Sequence, residues 1–174
     1  MKVKSERLAA PRLILKGLAE SDREAMLRLF TDEDIRKTYM LPDFRDRGEA
    51  EALFERIRKL SVSPDSFVYG IYLEGRLIGM INQCGTDGTG IELGYFIDPG
   101  YQGRGYATEA LRTAIGELFR MGYERITAGF FMENAASRRV MEKCGMHPLD
   151  RQETIRYRDA DHVCVYYGIG LPTV

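Results

Sequence analysis

The sequence predicts an α/β fold in which one mixed sheet of about seven strands carries helices on both faces. Three observations lead there. Runs rich in β-branched and aromatic residues, such as 67–73 and 76–83, alternate with longer stretches whose apolar residues recur every three to four positions. The segments follow in the order β-α-α-β-β-β-α-β-α-β-β, which combines hairpins with helical crossovers and so mixes antiparallel with parallel pairing. The 174 residues suit a single domain, 1–174, large enough to bury roughly 68–70% of its unfolded surface.

The first expected strand spans 11–17, where Leu13 and Leu15 alternate imperfectly with Arg12, Ile14 and Lys16. Ser21-Asp22-Arg23-Glu24 then fits a capping box, and Ala25, Met26, Leu29 and Phe30 give the helix behind it an apolar face. A second helix is expected over 48–60, with Leu53, Ile57 and Leu60 at helical spacing. Between these helices lies Tyr39-Met40-Leu41-Pro42-Asp43-Phe44, a proline-broken aromatic stretch that either plugs the core or lines a cleft. Strands over 67–73 and 76–83 join at Glu74-Gly75, and Asp87-Gly88 turns the chain into a strand over 91–98. The following helix is the most sharply defined. Its Ala107, Ala110, Leu111, Ala114, Ile115, Leu118 and Phe119 form a broad apolar stripe, which Gly122 stops. A strand over 125–131, a helix over 134–144 and a hairpin of 154–158 with 162–169 complete the chain.

Composition narrows the function. Lys and Arg number 25 against 26 Asp and Glu, which lacks the basic excess of a nucleic-acid binder. No apolar run approaches membrane-spanning length and the first residues are not followed by a signal-like segment, so a soluble cytoplasmic protein without a membrane partner is expected. Cys84, Cys144 and Cys164 are widely separated, and His147 and His162 are the only histidines, so neither a disulfide framework nor a metal site is expected. A terminal edge strand is compatible with a monomer or a homodimer.

The candidate functional motif is Gln102-Gly103-Arg104-Gly105-Tyr106-Ala107, a glycine-rich turn between a strand and the best helix. Small residues let backbone approach a ligand, and the first amides of a helix lack partners at the positive end of its dipole. An anion such as a pyrophosphate fits there. No Gly-Lys-Ser/Thr closes a P-loop, and Thr108 stands where a dinucleotide fingerprint needs glycine.

Gln102, Gly105 and Ala107 fit the Gln/Arg-x-x-Gly-x-Gly/Ala acetyl-CoA signature of the GNAT superfamily of N-acetyltransferases, which the chain resembles over nearly its whole length. The blocks Ile91-Glu92-Leu93-Gly94-Tyr95-Phe96-Ile97-Asp98-Pro99, Asn134-Ala135-Ala136-Ser137 and Glu142-Lys143-Cys144-Gly145-Met146 resemble the family's fourth strand, fifth-strand exit and fourth helix. Glu6-Arg7-Leu8, Arg12-Leu13-Ile14-Leu15 and Asp22 are similar to the branch of ribosomal-protein N-terminal acetyltransferases.

The resemblance implies a GNAT-like fold, acetyl-CoA as cosubstrate with no metal, and an amine-bearing partner that is a protein N-terminus or a small molecule such as a polyamine, amino acid or aminoglycoside. It implies that amides of Gly103, Arg104, Gly105, Tyr106, Ala107 and Thr108 bind the pyrophosphate, that the main chain of Phe96 and Ile97 pairs with the pantetheine arm, and that Asn134 hydrogen-bonds the cofactor. Glu92 shares a strand face with Gly94 and Phe96, so it is either a general base beside an open space or a strand acid paired with an arginine. Ser137 is either a proton donor to the leaving thiolate or a first-turn residue of its helix. Many relatives carry a tyrosine acid where Met141 stands. That departure motivates a second reading, a catalytically inactive acyl-CoA sensor, and leaves Tyr166 or Tyr167 as other hydroxyl sources. Specificity is expected between Tyr39 and Arg58, where Asp43, Asp46, Glu49 and Glu51 either attract a cationic amine or form a solvated face.

Overall fold

The computed structural model describes residues 3–171; Met1, Lys2 and 172–174, which the expected 1–174 domain includes, lie outside the described residues. Eight strands form one sheet: β1 (Arg7–Ala9), β2 (Leu13–Lys16), β3 (Val68–Leu73), β4 (Arg76–Thr86), β5 (Gly90–Ile97), β6 (Arg125–Phe131), β7 (His147–Tyr157) and β8 (Ala160–Gly170). The helices are α1 (Arg23–Phe30), α2 (Glu33–Thr38), α3 (Arg47–Val62), α4 (Tyr106–Met121) and α5 (Ala135–Lys143). Strand order is β1-β2-β3-β4-β5-β6-β8-β7, antiparallel throughout except for the β5–β6 pair. Among the described residues no helix is long and apolar enough to cross a membrane.

The mixed sheet with helices on both faces is observed, with three differences from the sequence reading. β1 is an eighth strand of three residues, too short to show alternation. α2 is an extra helix of six residues that buries one apolar side chain, Ile35, and starts because the Asp32 carboxylate accepts the amides of Asp34 and Ile35 at 2.9 and 3.1 Å. The expected capping box is displaced: a 3-10 turn at Glu20–Asp22 precedes α1, and Asp22 Oδ2 accepts the Ala19 amide (2.8 Å) and the Tyr72 hydroxyl (2.6 Å). The stop at Gly122 is as expected, in a left-handed conformation with φ 105°.

β5 divides the core. Ile91, Leu93 and Ile97 pack with Leu111, Ala114 and Leu118 of α4, whereas Phe96 packs with Met26 and Phe30 of α1 and Phe54 of α3. Each such side chain removed from water contributes roughly 1.5–3 kcal/mol, so the two apolar layers clamp β5 from both faces. Its edge is freer. Pairing with β6 runs from Gly90↔Arg125 to Leu93↔Ala128 and then stops, although β5 continues to Ile97 and β6 to Phe131. Beyond Leu93 each strand keeps only its outer neighbour, β4 for β5 and β8 for β6, and the sheet opens as a cleft.

Candidate active site

Two features meet at this cleft, and the glycine turn is the first. Gly103 and Gly105 have φ of 74° and 83°, the left-handed region where a Cβ is strained. A Cβ at Gly103 would meet nothing within 4 Å, so backbone conformation alone demands glycine there. The first helical bond of α4 runs from the Glu109 amide to the Gly105 carbonyl at 3.1 Å, and the preceding amides from Gly103 to Thr108 have no acceptor among the described residues. Gln102 ties the turn back to β5 by donating from Nε2 to the Ile97 carbonyl at 2.9 Å. Arg104 is exposed, its guanidinium 5.8 Å from the Tyr101 ring centroid.

A brace invisible to sequence reasoning comes from the end of the β1–β2 connection. Arg12 donates to the Arg104 carbonyl (3.0 Å) and to Glu109 Oε1 (3.3 Å) while lying 4.4 Å over the Tyr106 ring. It touches the turn and the first two turns of α4 at once, from 92 residues away.

The second feature is the split edge. The Asp98 amide donates to the Ile78 carbonyl on the β4 side (2.7 Å), so by alternation Phe96 turns its main chain to β4, and Tyr95 and Ile97 turn theirs into the cleft. On β6 the Met132 amide donates to Val163 of β8 (2.8 Å), which leaves Gly129 and Phe131 facing the cleft from the other side. Phe96 therefore does not share the edge role with Ile97 as the sequence reading expected; Tyr95 does. Unpaired amides and carbonyls inside a sheet need partners. A ligand with its own amides supplies them as an added strand would.

Tyr95 also contributes its side chain. Its hydroxyl lies 3.2 Å from Ser137 Oγ in α5, and burial raises its pKa, so it stays protonated. Asn134 caps α5 by accepting the Ser137 amide on Oδ1 at 3.2 Å. Tyr166 and Tyr167 are engaged elsewhere, donating to Glu153 Oε2 (2.6 Å) and Glu142 Oε1 (3.2 Å), and Met141 is buried. Tyr95 was passed over in the sequence because a strand tyrosine ordinarily reads as packing.

Glu92 is not beside an open space. A Cβ on Gly94 would lie 2.9 Å from Cys84 Sγ and 3.5 Å from the Tyr39 ring, so neighbouring side chains fill the room the glycine leaves. Ile91 and Leu93, its neighbours along the strand, point to the opposite face. Instead Arg151 of β7 reaches Glu92 Oε2 at 3.0 Å and Glu153 Oε1 at 3.3 Å while stacking 3.6 Å over the Tyr166 ring. Cys84 belongs to the same group. Burial of its sulfur, with the nearby charge of Glu92, pushes its thiol up to about 11. The acids expected near a cationic acceptor are likewise committed: Asp43 to Arg36, Glu49 to Arg45, Glu51 to Arg47, and Asp46 to the Glu49 amide as the α3 cap.

Two cavities flank Tyr39. One of about 700 Å³ lies between the end of α2, the exit of β6, the start of α5 and the β7–β8 turn, lined by Thr38, Phe131, Asn134, Tyr157 and His162 among others. Its roof is tied down across the cleft, because the Tyr157 hydroxyl donates to the Arg36 carbonyl (2.7 Å) and Arg158 pairs with Glu33 (2.9 Å). The other, of about 330 Å³, lies between α3 and the β3–β4 pair.

A turn of unpartnered amides at the mouth of a split sheet fits a class of protein whose ligand carries both an anionic group and amides of its own. Residues 12–147 match the family model for the acetyltransferase (GNAT) domain, and the chain belongs to that family. It is 27% identical over 143 residues to the uncharacterized N-acetyltransferase YoaA of Bacillus subtilis, a match spanning 79% of this chain and 81% of YoaA. An acetyltransferase of the GNAT family from Bacillus anthracis shares its fold with a TM-score of 0.81 at 26% identity, over 94% of this chain and 98% of that one. RimL, a ribosomal L7/L12 alpha-N-protein acetyltransferase solved with coenzyme A, is similar in fold at a TM-score of 0.84 and 16% identity, over 95% and 98% of the two chains. The protein is an acetyltransferase that uses acetyl-CoA and acts on amines.

Proposed function

We propose that the acceptor is the α-amino group at the end of a peptide chain, acetylated by direct attack on the thioester. The observation that carries the reading is the cleft itself. Its free main-chain groups, those of Tyr95 and Gly129 and the amides of Ile97 and Phe131, whose carbonyls accept from Gln102 Nε2 (2.9 Å) and the Asn134 amide (2.7 Å), lead from the glycine turn to Ser137 and Asn134, and Asn134 also lines the 700 Å³ cavity. That volume falls within the range of about 300–1,000 Å³ that holds ligands, and its walls come from the end of α2, the exit of β6, the start of α5 and the β7–β8 turn. Likeness to the branch of ribosomal-protein acetyltransferases supports the same choice.

In this reading the amides from Gly103 to Thr108 and the Arg104 side chain hold the pyrophosphate, and Tyr95 and Ile97 hold the pantetheine amides. The acceptor lone pair attacks the thioester carbonyl, the C–N bond forms, and the C–S bond breaks as the tetrahedral centre collapses. The Ser137 hydroxyl, which accepts from Tyr95 across their 3.2 Å contact, donates a hydrogen bond to the departing thiolate, and the thiolate takes its proton from solvent as coenzyme A leaves. The attacking nitrogen loses a proton through water to Glu92, whose Oε2 is occupied by Arg151 and whose Oε1 has no partner among the described residues.

The test is an acceptor screen with acetyl-CoA, followed by thiol release, across peptides with free N-termini, polyamines, amino acids and aminoglycosides. Turnover of peptides in preference to the small amines is expected. Turnover of small amines alone overturns the acceptor assignment, and none with any amine favours the inactive sensor.

A further inference from the structure

The smaller cavity plays no part in the reaction scheme above, yet its lining is chemically one-sided. It is walled mainly by apolar residues of α3, the α2–α3 connection and the sheet, among them Leu41, Leu53, Ile57 and Met80. Two apolar residues at its rim stay unusually open for their size, Met40 at 51% and Leu60 at 39% exposure.

The polar lining is short of acceptors. Asn82 Oδ1 already receives the Tyr39 hydroxyl at 2.8 Å, and Gln83 Oε1 receives the Phe67 amide at 2.7 Å. What remains unpartnered among the described residues is the Ser66 hydroxyl, the Gln83 side-chain amide nitrogen and the guanidinium of the exposed Arg56, a set richer in donors than in acceptors. Arg56 is the exception on its helix. Arg47 pairs with Glu24 and Glu51, and Arg58 with Glu20 and Glu55, whereas Arg56 has no carboxylate within 4.0 Å among the described residues. A planar guanidinium at the edge of an apolar cavity matches a carboxylate.

We propose that this cavity is a binding site for a small carboxylic acid with an apolar body, its carboxylate on Arg56 and its body against Leu53, Ile57 and Met80. At about 330 Å³ it lies near the lower end of ligand-pocket volumes and takes a body of aryl or branched-alkyl size. The site abuts the chemistry through Tyr39, whose ring separates the cavity from Gly94 of β5 and packs edge-on against Phe96 at 4.9 Å. A ligand there sits one side chain from the strand that lines the cleft. Two sources offer this chemistry: an acceptor that carries its amine on an apolar acid, or an acid that does not react.

Calorimetric titration of the full chain with 3-phenylpropionate, 3-phenylpropionamide and 3-phenylpropylamine tests the site without acetyl-CoA, so its outcome is independent of the acceptor screen. The acid is expected to bind about tenfold or more tighter than the neutral amide and the amine. Arg56→Gln is expected to bring the acid down to the level of the amide, Arg56→Lys to restore part of the difference, and both variants to bind coenzyme A as the parent does. Equal binding of acid and amide, no binding of the acid at millimolar concentration, or an acid preference that survives in Arg56→Gln overturns the proposal. Thiol release with apolar acids that bear an amine then separates the sources. Turnover that falls in Arg56→Gln identifies an acceptor, and acid binding without turnover identifies a non-reacting ligand, each with the site intact.

Discussion

Met141 is the buried residue of α5 and offers no hydroxyl to a leaving thiolate, whereas Ser137 stands one turn earlier on the same helix with its Oγ 3.2 Å from the Tyr95 hydroxyl of β5. Serine alone is a poor acid. A buried tyrosine hydroxyl at 3.2 Å, kept protonated by burial, donates to Ser137 and strengthens the hydrogen bond that the serine gives the thiolate. Ser137→Ala and Tyr95→Phe are each expected to lower kcat by about 10²-fold, the lower range for loss of a hydrogen bond to developing charge, with the Kd for coenzyme A unchanged in direct titration. An unchanged kcat in both variants removes the pair from the mechanism. Glu92→Gln makes a second residue-scale prediction: turnover falls at neutral pH while coenzyme A binding persists. A pH–rate profile identical to that of the parent would return Glu92 to a purely structural role with Arg151. The sequence offered an arginine partner for Glu92 without naming it and none for Tyr95, because Tyr95 and Ser137 lie 42 residues apart and Glu92 and Arg151 lie 59 apart, and only the folded sheet joins them.

The glycine turn shows the opposite balance. Its composition, its position between strand and helix, and the stripe of α4 were all readable, because each depends on residues within one or two turns of one another. Its brace was not, since Arg12 stands just before β2 and meets the turn only through β-sheet topology. Arg12 contacts no reacting group, so it acts by holding the Arg104 carbonyl and the start of α4 in place. Arg12→Ala is expected to raise the KM for acetyl-CoA several-fold and leave kcat near the parent value, and Arg12→Lys to recover only part, because lysine cannot fork between a carbonyl and a carboxylate. A fall in kcat at unchanged KM contradicts this positioning role. β1 and α2 escaped the sequence for a related reason: three and six residues are shorter than the window in which periodicity declares an element.

Across the whole molecule, the segment before β1 is stitched to the core by ionisable groups whose environment the fold alone creates. Lys4 is buried where the end of α3 meets β3, its ammonium donating to the Ser61 carbonyl (2.8 Å) and the Val68 carbonyl (3.1 Å) with no carboxylate partner among the described residues, over the Tyr69 ring. Burial lowers its pKa from 10.5 to about 8. Below pH 8 the lysine is protonated in folded and unfolded chains alike, and the cost of burying the charge is fully felt. Between pH 8 and 10.5 the unfolded chain keeps a proton that the folded chain has released, so stability rises with pH. Integrated from pH 7 to 9.5, the gain is about 2 kcal/mol at most. Above pH 10 the sign reverses, because burial raises the pKa of Tyr39, Tyr69, Tyr72 and Tyr95, and stability that depends on their protonated form is lost as the unfolded tyrosines ionise. Denaturant unfolding at pH 7, 8, 9 and 9.5 should therefore show the parent gaining stability with pH relative to Lys4→Met, whose curve lacks this component. Parallel curves for the two proteins across that window would mean that the two carbonyls and the Tyr69 ring hold the ammonium as well as water does.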